Sequence, residues 1–232
     1  GPAGSVRTEW LAAAVLLVVG LVASLFHLGH PLGAPNALKH LGSAWLSREA
    51  LGVSIFAALV IVGFLTAKGK VNAALAFITA AVGLIALFFT SMTYSPPSFP
   101  ALNNVMPFVF FLLTAAMLGS AFASYFTPSE KQGMVTGILA VSLIVGLVVY
   151  LVVPCVWLSG GTVMRQTGLA YIFSPLYWTR IIVGIVLPLA GILKAREIPV
   201  WAPVLVLIGE VAGRIAFFSL TVHASANLGG IY

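Results

Sequence analysis

Apolar runs long enough to cross a lipid bilayer dominate this sequence, and they limit its possible folds more than any other feature. Several of them approach or exceed the roughly 18 to 20 residues that mark a membrane-spanning helix. Only 7% of the residues are charged, whereas soluble domains carry about 25%, so a soluble fold could not cover its own surface. The sequence therefore predicts an all-α integral membrane protein, a polytopic helical bundle, because the short alternating segments of a transmembrane β-barrel are absent.

Seven spans are predicted, and no repeat of fixed period or soluble domain interrupts them. The predicted spans cover residues 10–26, 49–67, 71–92, 105–126, 134–158, 177–193 and 200–222. Residues 1–232 are therefore expected to form a single integral membrane domain. The connection 159–175 is predicted to be a longer loop, without a helix of its own.

Lysine and arginine residues are scattered singly between the apolar runs, which is typical of membrane-protein loops and not of a nucleic-acid-binding stripe. If the N-terminus lies inside, more of them fall on the cytoplasmic side than outside, which favours this orientation. The inside set is Arg7, Lys68, Lys70, Lys131, Lys194 and Arg196, and the outside set is Lys39, Arg48, Arg165 and Arg180. The connection 27–49 is therefore expected on the outer face, periplasmic or extracellular.

This first connection gathers three of the four histidines together with a lysine, an arginine and a glutamate. His27 ends the first predicted span and Glu49 begins the second, so both lie at one membrane face. An imidazole and a carboxylate at an apolar boundary can accept two protons from a reduced lipid with two hydroxyl groups, such as a quinol. Arg48 and Lys39 are expected to tune the carboxylate, and Trp45 is a candidate for stacking on the quinol ring.

A simpler explanation of the same residues stays open. Loops at a membrane interface collect polar side chains because they meet water. Ser47 directly precedes Arg48 and Glu49 in an arrangement typical of a helix N-cap. Glu49 would then lie in the first turn, where the helix dipole alone favours an acidic side chain.

Two charged residues fall inside the last predicted span. Glu210 and Arg214 are four positions apart, so they share one helix face. Charges within a membrane usually pair and face the bundle interior, which predicts an internal ion pair, with a proton route or a polar wall of the quinol pocket as the alternative. The aromatic residues near the outer face are interpreted as an interfacial belt: Trp45, Tyr94, Phe99, Trp157, Tyr171, Tyr177 and Trp178.

Redox metals are not expected in this chain. Cys155 is the only cysteine, so the sequence offers no set of thiolates for an iron–sulfur cluster. A b-type haem with two histidine ligands would require facing histidines in the bundle. Only His223 could pair with His27 across the bundle, and no haem is predicted.

Two stretches of the sequence resemble the membrane-anchor subunit of the dimethyl sulfoxide reductase family. In that family a histidine–leucine–glycine–x–proline turn ends one helix and a leucine–serine–x–glutamate motif starts the next, as in "SLFHLGHPLGAPNAL" (24–38) and "SAWLSREALG" (43–52). The family's last helix carries "GE..GR", which here corresponds to Gly209, Glu210, Gly213 and Arg214.

This resemblance implies an anchor that binds a molybdopterin catalytic subunit and a four-cluster iron–sulfur subunit at the bacterial cytoplasmic membrane. It implies oxidation of menaquinol in anaerobic respiration, with electrons passed to the iron–sulfur subunit and no haem. The family's quinol-site histidine and glutamate fall on His27 and Glu49. Its eight spans match this chain from the second onward, so the first is expected to be absent. His30 and His40 gain no role from it.

A transporter or an ion-conducting bundle is the competing class. Such proteins often place charged side chains near the membrane midplane. Only Glu210 and Arg214 are predicted to lie that deep, and they can neutralise each other.

Overall fold

The computed structural model of the chain describes residues 3–25, 36, 38–67 and 72–227. Seven helices within these ranges are long and apolar enough to cross a membrane, which confirms the all-α membrane class. The helices are α1 (Ala3–Leu25), α2 (Trp45–Thr66), α3 (Ala73–Thr93), α4 (Met106–Ala123), α5 (Ser129–Leu158), α6 (Thr162–Ile172), α7 (Pro175–Ile181), α8 (Leu187–Ala195) and α9 (Ala202–Leu220). A π-helical segment, Ile182–Val186, joins α7 to α8, so that the sixth span runs over Pro175–Ala195.

The chain divides into two compact units, Gly1–Tyr94 and Ser95–Tyr232. In the first unit, α2 packs antiparallel against α3 through small residues. A Cβ on Gly52, near the start of α2, would lie 3.2 Å from the Cα of Ala86, near the end of α3. At the other end of α2, the ring of Trp10 from α1 covers Gly63. The two contacts fix which ends of these three helices are neighbours.

The second unit contains α4 to α9 around a core that includes fully buried Met117, Leu139 and Ile185. The sixth span meets α9 at glycines, where a Cβ on Gly184 would lie 2.6 Å from the Cα of Gly209. Close approach of helix backbones through small residues is a common packing mode in membranes. It brings the polar side chains one turn away on each helix within reach of each other.

Pro154 lies inside α5 and leaves a backbone carbonyl of the preceding turn without its usual partner, because proline has no N–H. That carbonyl belongs to Tyr150, and it accepts a hydrogen bond from the hydroxyl of Tyr177 at 2.9 Å. The bond ties α5 to α7.

Three connecting segments meet at one end of the second unit. The amide of Ala224 donates to the carbonyl of Ser98 at 2.8 Å, and the indole of Trp157 donates to Ala101 at 3.1 Å. The amide of Val222 donates to the hydroxyl of Thr167 at 3.0 Å. The predicted alternation of spans places the connections 94–104 and 159–175 and the C-terminal tail at one membrane face, and these contacts confirm it.

Two local predictions are wrong. The connection 159–175 is not a plain loop, because it contains the helix α6, Thr162–Ile172. Ser47 is not the N-cap of α2, because the helix begins at Trp45 after Ala44, and Ser47 is a buried residue within it.

Candidate functional site

The side chain of Glu49 lies one turn into α2, between two residues that face α3. Trp45, Glu49 and Gly52 are spaced by four and three positions, so they share one stripe of the helix. The Glu49 residue is half-buried, and its Oε2 is buried without a hydrogen-bond partner among the described residues. A buried carboxylate oxygen without a donor is costly, so this atom is suited to receiving a hydrogen bond from a ligand.

Aromatic rings line the same end of the first unit. Trp45 packs edge-on against Phe88 with ring centroids 5.9 Å apart, and Phe89 lies 6.4 Å from it. Both phenylalanines belong to the last part of α3. Gly52 lets this end of α3 approach closely, since a Cβ there would lie 3.2 Å from the Phe89 ring. The carboxylate therefore shares its stripe of α2 with one wall of an aromatic cluster.

Arg48 does not reach toward Glu49 in this arrangement but turns back to the segment before the helix. Its Nε donates to the carbonyl of Leu41 at 2.9 Å, and its Nη2 donates to that of Gly42 at 2.8 Å. The guanidinium carbon lies 4.4 Å from the centroid of the Trp45 ring. Lys39 is exposed. Direct tuning of the carboxylate by these two cations thus finds no support in the geometry.

The position of Glu49 also bears on the simpler explanation of this residue. Because α2 begins at Trp45, Glu49 is its fifth residue, and the first turn holds no acidic side chain. Helix-dipole stabilisation falls off within the first turn. The dipole alone does not account for an acid at this position. His27 and His30 lie outside the described residues, and His40 is exposed.

A second group of polar side chains is buried inside the second unit. Arg180 from α7 forms a salt bridge with Glu210 from α9, at 2.9 Å from Nη2 to Oε2. The two residues are 8% and 4% exposed, respectively. Nη2 also donates to the other carboxylate oxygen at 3.1 Å. Gly213 makes room for the arginine, since a Cβ there would lie 2.5 Å from its Cδ.

Helices α4 and α5 complete this buried polar cluster of Thr114, Tyr150, Arg180, Glu210 and Arg214. The hydroxyl of Thr114 lies 2.5 Å from Glu210 Oε2 and accepts a hydrogen bond from Arg214 at 3.2 Å. Arg180 also donates to the hydroxyl of Tyr150. Glu210 acts only as an acceptor here, which is the role of an ionised carboxylate.

The internal ion pair predicted at Glu210 is thus formed with Arg180, and the placement of Arg180 in an outer loop is wrong. The sequence pattern concealed it because the arginine follows directly on aromatic residues typical of an interface. The apolar run after it, "IIVGIVLPL", is short for a span. Counting residues back from its end would have put Arg180 within the span.

Part of the interfacial belt is also buried. Trp157, Tyr171 and Tyr177 are 2%, 7% and 5% exposed, and their rings pack edge-on in a row with centroids 5.0 and 6.1 Å apart. The prediction that these three face the interface is wrong, whereas Trp178 is exposed. Burial raises the pKa of Tyr171 to about 12, and a hydrogen bond with Thr221 and nearby arginine charges oppose this only in part.

A cavity beside the buried polar cluster is too small for a quinol. It is lined by Tyr150, Tyr177 and Arg180 among others, and its volume is about 20 Å³. That is room for about one water molecule, whereas pockets for small-molecule ligands measure about 300 to 1,000 Å³. The cluster therefore presents no ready quinol pocket of its own.

His223 lies at the end of the second unit where the connecting segments meet. Its ring packs edge-on against Phe99 with centroids 5.0 Å apart, and its Nδ1 lies 2.7 Å from the hydroxyl of Ser225. The histidine is exposed. Its partner in the haem alternative, His27, lies outside the described residues.

Comparison with known proteins decides between the classes left open by these features. A family model described as "DMSO reductase anchor subunit (DmsC)" matches residues 5–220. The chain belongs to this family. The assignment selects a membrane anchor of an oxidoreductase complex over the transporter alternative.

Curated relatives extend the match over most of the sequence. The protein is 28% identical to the YnfH subunit of an anaerobic dimethyl sulfoxide reductase from Escherichia coli, over 93% of its own length and 82% of the relative. It is 29% identical to the DmsC-type anchor of E. coli anaerobic dimethyl sulfoxide reductase, over 89% and 78%. The corresponding Haemophilus influenzae subunit is 34% identical over 47% of this protein and 41% of that relative. No solved structure matches significantly.

Membership of the DmsC family means that this integral membrane protein associates with catalytic and electron-transfer subunits of a DMSO reductase-type complex. The family's "GE..GR" residues acquire a structural meaning in the second unit. Gly209 and Gly213 allow the close contact with the sixth span. Glu210 and Arg214 supply two members of the buried polar cluster.

Proposed function

We propose that this protein oxidises menaquinol beside Glu49, at the start of α2, and passes the electrons to an iron–sulfur subunit. The proposed site consists of Glu49 and His27, with Trp45 as a wall of the pocket. Arg48 supports the site and Lys39 lies in the same segment. The partners proposed are a four-cluster iron–sulfur subunit and a molybdopterin catalytic subunit.

The observation that carries this proposal is the carboxylate of Glu49. Its Oε2 is buried and has no donor among the described residues, although it lies on the α2 stripe that faces the aromatic end of α3. A quinol offers the two features that such a place lacks: a hydroxyl group to donate to the carboxylate and a flat ring to pack against aromatic side chains.

Oxidation of a quinol releases two protons and two electrons. In the proposed mechanism Glu49 accepts one proton at Oε2 and His27 accepts the other, since both types of side chain are suited to proton transfer near neutral pH. The two electrons leave to an iron–sulfur cluster of the partner subunit. The proposed site is on the outer face of the membrane, so both protons are released there.

The buried polar cluster is assigned a structural role in this proposal. Arg180 and Thr114 donate to Glu210, so its oxygens are occupied by partners from other helices. A carboxylate that exchanges protons along a route would need a position from which to lose these donors. An internal ion pair is therefore preferred over a proton route for Glu210 and Arg214.

The test is the rate of menaquinol-analogue oxidation by the assembled complex carrying Glu49→Gln or His27→Ala. We expect both variants to lower the rate, by about 100-fold for Glu49→Gln, because general acid–base groups contribute about 10² to 10⁴ in rate. Unchanged rates in both variants would contradict the site assignment.

Glu130→Gln is the matched control, because Glu130 is an exposed carboxylate in the first turn of α5. It makes the same chemical change away from the proposed site and is expected to leave the rate unchanged. Co-purification of the catalytic and electron-transfer subunits with each variant separates a loss of activity from a loss of assembly.

A further inference from the structure

The guanidinium of Arg48 joins two parts of the protein that border the proposed quinol site. Two backbone carbonyls of the segment 38–44 accept its hydrogen bonds, from Nε to Leu41 and from Nη2 to Gly42. Its plane lies over the ring of Trp45, the first residue of α2. The arginine thus holds the end of this segment against the helix start and against an aromatic wall of the site.

A cation near the start of a helix is unfavourable by itself, since the helix N-terminus carries a partial positive charge. Arg48 is the fourth residue of α2, and its charge faces this partial charge. Hydrogen bonds from a charged donor to carbonyls and the contact with an indole face are the interactions that offset this cost. The residue is therefore better explained by its geometry than by its charge.

The segment itself has limited support of its own. The amides of Ser43 and Ala44 both donate to the carbonyl of His40, which forms a turn directly before α2. Leu38, Leu41 and the neighbouring residues of the segment are exposed. The two bonds from Arg48 therefore supply much of what orders residues 41 and 42 relative to the helix.

We propose that Arg48 is a positioning residue for quinol oxidation, which clamps the segment 38–44 onto Trp45 and so shapes the entrance to the Glu49 site. It does not supply charge to Glu49 or to the substrate. The effect on quinol rests on the proposed function, whereas the clamp itself does not.

Arg48→Lys separates geometry from charge. Lysine keeps the positive charge but cannot bond two carbonyls in a fixed fork while lying flat on an indole. Under the proposal, Arg48→Lys and Arg48→Gln behave alike. If the charge were what matters, lysine would restore the wild-type behaviour and glutamine would not.

The clamp is tested by hydrogen exchange of the backbone amides of residues 41–44, in the assembled complex without quinol. We expect exchange to become about tenfold faster in Arg48→Lys and Arg48→Gln, as expected from loss of charge-assisted hydrogen bonds. Lys39→Gln is the control, since it removes an exposed cation from the same segment and should leave exchange unchanged. Wild-type exchange in Arg48→Lys would overturn the clamp.

The positioning role is tested by the kinetics of a menaquinol analogue in the same variants. We expect KM to rise about tenfold with kcat retained within about twofold, because an entrance is disordered while Glu49 is intact. Faster exchange with an unchanged KM would overturn the positioning role and leave the proposed function standing. Failure of the proposed function itself would instead appear as an unchanged rate in Glu49→Gln.

Discussion

At the scale of single residues, the second unit stabilises charges inside the membrane by giving each several partners. Glu210 is bonded by Arg180 of α7 and Thr114 of α4, and Arg180 is also bonded to Tyr150 of α5. Arg214 joins through Thr114 and lies 3.8 Å from the centroid of the Phe111 ring. Removal of one buried partner leaves the other charge uncompensated, which is more costly than removal of both.

This arrangement predicts non-additive effects on stability. Glu210→Gln and Arg180→Met should each lower the free energy of unfolding by about 3 kcal/mol or more. The double variant should cost less than the sum of the two, with a coupling above about 1 kcal/mol. Thermal unfolding of the detergent-solubilised protein measures all three, and strictly additive losses would mean that the pair does not act as a unit.

The residue-level predictions succeeded or failed for identifiable reasons. Glu210 stood out because it is a lone acid in an apolar run, and its ion pair was predicted without its true partner. Arg180 was misplaced because aromatic residues typical of an interface precede it directly in the sequence. The contact between Arg48 and the carbonyls of residues 41 and 42 depends on the turn before α2, which the sequence does not specify.

At the scale of elements, the buried cluster depends on how closely the sixth span and α9 approach. Gly184 and Gly209 allow the contact, and Arg180 and Glu210 lie near it on the two helices. The π-helical segment Ile182–Val186 includes Gly184 and directly precedes α8, whose second residue is Pro188. Side chains at either glycine would separate the backbones and pull the ion pair apart.

Gly209→Ala is therefore expected to destabilise the protein strongly, because its Cβ would lie 2.2 Å from the Cα of Gly184. Backbone atoms cannot move aside as a flexible side chain can, so the loss should exceed the roughly 1 to 3 kcal/mol typical of overpacking. Gly137→Ala in α5 is the control, since nothing lies within 4 Å of its added Cβ. Equal Tm values for the two variants would show that the glycine contact is not needed.

The bond between α5 and α7 gives a second prediction. Tyr177→Phe removes the donor to the Tyr150 carbonyl and should cost about 1 kcal/mol. In a Pro154→Ala background the restored N–H of residue 154 can bond the same carbonyl, so Tyr177→Phe should cost less there. Comparison of Tm across this cycle checks it, and an equal cost in both backgrounds would contradict the role given to Pro154.

Elements were easier to predict than their ends. Seven apolar runs gave the seven spans because length and hydropathy suffice for a membrane helix. Helix α6 was missed because it is short and mixes polar with apolar residues, "TVMRQTGLAYI". Its buried face, Thr167, Gly168 and Tyr171, is defined only by packing inside the second unit.

At the scale of the whole molecule, the charge distribution favours a single orientation. With Arg180 moved into its span, three lysines and arginines remain on the predicted outer side against six inside, so the bias is larger than the sequence alone indicates. Two of those three, Lys39 and Arg48, lie in the segment that borders the proposed quinol site. The outer face is thus the one on which this site is expected.

This orientation is checked by labelling single cysteines with a membrane-impermeant maleimide on intact spheroplasts. In a Cys155→Ser background, Arg165→Cys should be labelled from outside and Lys131→Cys only after the membrane is opened. Both positions are exposed, one in α6 and one in α5. The reverse pattern would invert the orientation and place the proposed quinol site on the cytoplasmic face.

The central claim is that quinol electrons enter the complex through the Glu49 site of this protein. The most direct measurement is the extent and rate of iron–sulfur reduction in the assembled complex by a menaquinol analogue, followed by electron paramagnetic resonance. An artificial donor that reduces the partner subunits directly serves as the reference. The account predicts that Glu49→Gln abolishes reduction by the quinol analogue and preserves reduction by the artificial donor. Wild-type reduction by the quinol analogue in Glu49→Gln would contradict it.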